Sequence, residues 1–140
     1  MSLDTLQHVN NYFTGKKHCT NTDYNKDFKD DLNFAKSAYN VRSSEKAIME
    51  EIMTNGPVEA GFTVYSDFPN YKSGVYQHTG GSILGGHAVR IIGWGVEDGV
   101  KYWLVANSWN NYWGDKGTFK IRKGVDECGI EDQISAGIPQ

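Results

Sequence analysis

Two residues able to share a proton stand in glycine- and tryptophan-rich surroundings. His87 lies in GGHAVRIIGWG, Gly85 to Gly95, and Asn107 lies in ANSWNNYWG, Ala106 to Gly114. An asparagine carbonyl can accept from one imidazole nitrogen and fix the tautomer. The other nitrogen is then left to act on a nucleophile. Trp109, two residues past Asn107, could exclude water from that hydrogen bond and strengthen it by lowering the local dielectric. Gly85 and Gly86 would let backbone approach closely, as a substrate cleft requires. Each residue also has a plainer reading. A lone histidine beside a strand is more often a hydrogen-bonded structural group, a Gly-Gly pair can be a turn, and tryptophans can be core. The pair weighs more than its members, because His87 begins one strand and Asn107 ends the expected hairpin partner.

The elements that must position these residues are legible locally. SSEKAIMEEIMTNGP reads as a helix. Ser43 or Ser44 caps it, Ile48 and Ile52 mark its buried stripe, and Asn55-Gly56-Pro57 stops it. VEAGFTVY alternates Val58, Ala60, Phe62 and Val64 against polar or small residues, the pattern of a half-buried strand. HAVRIIGWG and VKYWLVANSW flank Asp98-Gly99, a hairpin signal, and GTFKIRKG alternates again. A short strand is expected near Ala38 to Val41. The expected fold is therefore α+β: one helix, then an antiparallel sheet of roughly four to six strands, strongly twisted or barrel-like. Residues 1–42 read as an irregular polar arm, with Met1 to Leu3 as an added tag, and residues 43–140 as the folded lobe.

Composition narrows the function. The 140 residues carry a net charge of −3, with 39% hydrophobic and 22% charged residues. That balance suits a globular domain and leaves no electrostatic footprint for nucleic acid. No apolar run approaches the about 20 residues needed to span a bilayer, so no membrane role is expected. The start, MSLDTLQHVNNYF, lacks the basic and apolar stretches of a signal peptide. Sixteen glycines and the four Trp, eight Tyr and six Phe favour tight turns and aromatic-rich strands. His8, His18, Cys19 and His78 show no recognised ligand spacing, so neither a metal nor another cofactor is expected. Cys19 and Cys128 could bridge, stay free or pair elsewhere.

Taken together, GGHAVRIIGWG, YWLVANSWNNYWGDKGTFKIRKG and ECGIE closely resemble the C-terminal half of papain-like cysteine peptidases. NGPVEAGFTVYSDFPNYKSGVYQH and the ending SAGIP narrow the resemblance to the cathepsin B-like branch, densely over residues 38 to 138. The resemblance implies the right-hand lobe of that fold. His87 takes the place of the catalytic histidine and Asn107 that of the residue orienting it. Gly86, Ala88, Trp109 and Gln133 become substrate-binding positions, with Trp109 on the leaving-group side. Branch members often carry an acidic residue at the place of Gln133, the end of the second specificity pocket.

In the family the nucleophilic cysteine lies about 130 to 150 residues before the histidine, in a Cys-Gly-Ser/Ala-Cys run. No such run precedes His87, and KKHCTNT around Cys19 does not match it. By resemblance, Cys19 corresponds to a cysteine whose disulfide partner lies in an absent N-terminal lobe, which leaves it an unpaired thiol here, and Cys128 is structural. The oxyanion-hole glutamine belongs to that lobe too. The expected partners are therefore a peptide or protein substrate, the missing N-terminal catalytic lobe, and further copies of the chain through the exposed lobe face. The chain alone is expected to be inactive, in a lysosomal or secreted setting. The competing expectation is a catalytically dead module that binds peptides or a partner.

Overall fold

The computed structural model describes residues 32–140, so the arm's first 31 residues, with His8, His18 and Cys19, lie outside the described residues. The chain divides into two compact units, a larger one over residues 40–136 and a smaller one that includes residues 137–140. In the smaller unit, the exposed strand β1 (Ala35–Val41) lies beside the end of the last strand, and Gln140 N–H donates to the Phe34 carbonyl at 3.0 Å.

The larger unit opens with α1 (Glu45–Asn55), whose limits are set by local chemistry. Ser44 is extended (φ −153°, ψ 141°) and its hydroxyl accepts from Ala47 N–H at 3.2 Å, satisfying one orphan donor of the first turn. At the other end Gly56 takes φ 102°, which Pro57 then follows. Ile48 is fully buried beneath the helix, a contribution of about 2 kcal/mol by area.

Six strands follow: β2 (Val58–Tyr65), β3 (Val75–Tyr76), β4 (Ile83–Glu97), β5 (Val100–Ala106), β6 (Thr118–Arg122) and β7 (Gln133–Pro139). Their order is β7-β2-β4-β5-β6-β3, an open arrangement rather than a closed barrel. It is antiparallel except for β3, which runs parallel to β6. The register aligns Val58, Ile91, Val105 and Phe119 directly across β2, β4, β5 and β6, and all four are buried. Cross-strand neighbours share a face, so this row is the spine of the core. On β2 the expected alternation holds, with Val58, Ala60, Phe62 and Val64 inward. The β4–β5 turn is two residues, Asp98 (φ 50°) and Gly99 (φ 78°), both in the left-handed region that a tight hairpin demands.

Besides the parallel β3 and a strand count of seven among the described residues rather than four to six, two features depart from the sequence expectation. β4 starts at Ile83, so Gly85 and Gly86 lie inside a strand and His87 is not its first residue. The pairing with β2, Gly86 with Thr63 and Gly85 with Val64, carries the strand back through glycines that have no side-chain pattern of their own. Secondly, two steps on β4 (Ile91 to Gly93) oppose one on β5 (Val105 to Leu104), a bulge that switches faces within the apolar run around Ile92.

Candidate active site

His87 is placed by β2 and Asn107 by β5. His87 pairs with Phe62 and shares its face with buried Val89 and Ile91, so the imidazole projects from the edge of the core. The β4–β5 ladder ends at Arg90 opposite Ala106, while β4 continues to His87 alongside β2. After Ala106 the chain turns, and Asn107 follows immediately. Its N–H donates to the Gly117 carbonyl at 2.9 Å, closing the loop of residues 107–117 at its base. Gly117 takes φ 87°, and a methyl group there would meet the Asn110 carbonyl oxygen at 3.3 Å.

The two side chains meet. His87 Nε2 lies 2.8 Å from Asn107 Oδ1, which also accepts from Ser108 N–H at 2.8 Å. A backbone N–H can only donate, so the atom facing it is the amide oxygen, and Nε2 must be the protonated nitrogen. Nδ1 is thereby left as the basic nitrogen. Trp109 stacks on the imidazole at 5.1 Å and 23°, and Phe62 flanks it at 5.9 Å. Among the described residues the buried Asn107 Nδ2 has no partner, and the amide's hydrogen bonds are made on its carbonyl side.

Gly86, Ala88 and Gln133 are not gathered around the imidazole. Residues adjacent to His87 on a strand point to the other face. Gln133 pairs with Gly61, which in turn pairs with Ala88, so the three form one row on that reverse face. A methyl group on Gly61 would sit 3.3 Å from Gln133 Oε1, which places the glutamine amide over the bare glycine. Gly86, Ala88 and Gln133 are exposed. The glycines before His87 face open space where a side chain would stand: a methyl group at Gly85 or Gly86 would meet no atom of the described residues within 4 Å. Gly85 needs its freedom for φ 146° rather than for close packing.

Cys128 offers no nucleophile. Burial, with the negative charge of Glu127 second, pushes its thiol up to about 12, so it stays protonated at neutral pH. Its Sγ lies 3.8 Å from Glu127 Oε1. Among the described residues it is the free cysteine, and no group of three or more His, Cys, Asp or Glu side chains is set to hold a metal ion.

An imidazole oriented by a shielded amide, on an open sheet with one capping helix, is matched along nearly the whole chain by one family model. Residues 3–138 match the papain family cysteine protease. The chain belongs to the papain family. Its relatives lie in the cathepsin B-like branch of that family. It is 53% identical over 125 residues to cathepsin B-like cysteine proteinase 6 of Caenorhabditis elegans, covering 89% of this chain and 33% of that protein. Cathepsin B-like cysteine proteinase 3 of Ostertagia ostertagi is 55% identical over 115 residues, 82% of this chain and 66% of the relative. A cathepsin B-like cysteine proteinase of Schistosoma japonicum is 55% identical over 82% of this chain and 34% of its own length. The chain thus spans about a third of two of these relatives and 66% of the third. The procathepsin B S9 structure from Trypanosoma congolense superposes with TM-score 0.79 at 38% identity, over 89% of this chain and 41% of that one. This papain-family lobe therefore has the α+β fold that its motifs implied.

Sequence reasoning missed two groups. Phe68, fully buried, packs edge-on against Phe62, Tyr76, Trp109 and Phe119. Asp67 and His78 form a polar pair distant in sequence. The only available signal was a turn-like Asp-Phe-Pro, which names neither role.

Proposed function

We propose that this chain supplies the histidine half of a cysteine peptidase that hydrolyses peptide bonds. The observation carrying this reading is the 2.8 Å bond from His87 Nε2 to Asn107 Oδ1 beneath Trp109. With Nε2 held by the amide, Nδ1 takes the proton of a cysteine thiol. The thiolate attacks the substrate carbonyl, and the imidazolium returns the proton to the departing amine. His87 then activates the water that releases the acyl group. The thiol is supplied by an N-terminal lobe: Cys128 is hydrogen-bonded to Glu127 and held protonated by burial, and KKHCTNT around Cys19 does not match the family's nucleophile run. Trp109 contacts the peptide beside the imidazole, and Gly86, Ala88 and Gln133 contact it at a separate stretch, from the opposite face of the sheet. The chain alone turns over no substrate, and its working place is the lysosome or the cell exterior.

The test mixes the purified chain with a dipeptidyl fluorogenic substrate, with and without a separately made N-terminal lobe. Turnover should appear only in the mixture, be blocked by a thiol alkylator, and vanish in His87→Ala. Asn107→Ala should lower kcat on the order of 10²-fold, since a misoriented imidazole loses most of its acid–base contribution. Alkylator-sensitive turnover by the chain alone, lost in His87→Ala, would overturn the two-lobe reading. No turnover in the mixture, with tight peptide binding, would favour a binding module.

A further inference from the structure

Beginning at Asp67, the residue before Phe68, lies a polar cluster that the proposed chemistry does not use. Asp67 ends the segment after β2, and its carboxylate gathers donors from elsewhere in the chain. Tyr76 O–H donates to Oδ1 at 2.7 Å, Thr79 N–H donates to Oδ2 at 3.0 Å, and His78 Nδ1 sits 3.1 Å from Oδ2 and 3.2 Å from Oδ1. A carboxylate only accepts, so Nδ1 carries the proton. The His78 ring stacks on Tyr65 at 3.7 Å and 18°, and its backbone N–H donates to Glu127 Oε1 at 3.0 Å. The next three residues, Phe68–Asn70, form a 3-10 turn that starts at Asp67.

That turn grips the loop bearing Asn107 and Trp109. Phe68 packs edge-on against Trp109 at 5.5 Å and, tilted, against Trp113 at 5.1 Å. The Pro69 carbonyl accepts the Trp113 indole N–H at 2.9 Å. The start of the turn is thus tied down by the Asp67 cluster, and the residue that follows, Phe68, supports the indole stacked on His87. A turn of one revolution has little stability of its own, so its ends decide where its side chains sit.

The geometry points to Asp67 and His78 as positioning residues: a histidine–carboxylate pair that holds the Phe68–Trp113 platform, and through it keeps Trp109 closed over the His87–Asn107 bond. The pair touches no reacting atom. The inference rests on the reading that His87 acts through that bond, but its test needs no turnover, so the two can fail separately.

The measurement is the Nε2–H proton of His87, followed by NMR in the 140-residue chain with isotope-labelled histidine. A bond under a closed indole should give a downfield, slowly exchanging resonance. In Asp67→Asn and in His78→Phe, which keeps the stack on Tyr65 but loses the donor, exchange should quicken at least about tenfold. His78→Gln, which restores a donor to Asp67, should recover part of the protection. Ile48→Val, a destabilised core control on α1, should leave the resonance in place. If Asp67→Asn does not fold, His78→Phe decides. Unchanged exchange in the folded His78 variant would overturn the assignment. So would equal loss of protection in Ile48→Val, or an unprotected proton in the parent chain.

Discussion

Gln133 lies across Gly61, close enough that a single methyl group on the glycine would stand 3.3 Å from its amide oxygen. Ala88 occupies the next place in the same row, so this patch of the reverse face presents a methyl group, a bare backbone and a neutral amide. No charge in that row awaits a basic side chain.

In the reconstituted two-lobe enzyme, the subsite touching this row should therefore prefer apolar to basic residues. Gln133→Glu should raise kcat/KM for an Arg or Lys side chain there by up to about fivefold relative to Leu, the value of one solvated charge pair. Profiling a peptide library with both forms checks it. A basic preference in the parent that survives Gln133→Ala would contradict the assignment.

Acid should loosen the Asp67 cluster. Burial by itself would raise this carboxyl, but hydrogen bonds from Thr79, Tyr76 and His78, with the imidazole's charge, outweigh it and hold it well below its ordinary range. A carboxylate depressed on folding stabilises above its unfolded value of 3.8, and that contribution is lost as pH falls through the lower folded value. The stability difference between parent and Asp67→Asn should be full at neutral pH and shrink below about pH 4. Urea titrations across that range measure it. The opposite shift of Asp126, raised chiefly by burial, is common to both proteins and cancels. A difference that grows in acid would be incompatible with this account.

The Glu45 carboxylate should matter more than its place on the lobe's surface suggests. Lys123 has a side chain only 4% exposed, with Glu45 Oε1 at 2.5 Å, the Trp103 ring at 5.1 Å and Met49 sulfur at 3.5 Å. Glu45→Gln leaves a buried ammonium without its countercharge and should cost about 2 kcal/mol. Glu50→Gln breaks only the exposed i,i+4 pair with Lys46 and should cost under about 0.5 kcal/mol. Chemical denaturation of the two variants tests the ranking. Equal losses would show the lysine to be better solvated than its burial implies.

How much of this was legible before folding depends on the range of the interaction concerned. The ends of α1 were readable because a Ser hydroxyl, a glycine and a proline act within a few residues. The Asp98-Gly99 turn was readable for the same reason, as was the inward set of β2. His87 and Asn107 stood out by residue type and by the hairpin between them. The strand start was misjudged, since glycine offers no alternation and only pairing with β2 extends β4 to Ile83.

By itself the sequence determined the local elements, the papain-family likeness and the two residues that would share a proton. The tertiary structure decided what those elements do to one another. It set the 2.8 Å bond and the protonated nitrogen, because those depend on where the β4–β5 ladder stops. It sent Gly86, Ala88 and Gln133 to the face opposite His87, because register, not composition, assigns a face. It also joined Asp67 to His78 and β3 to β6, contacts whose register and partners no short-range pattern specifies.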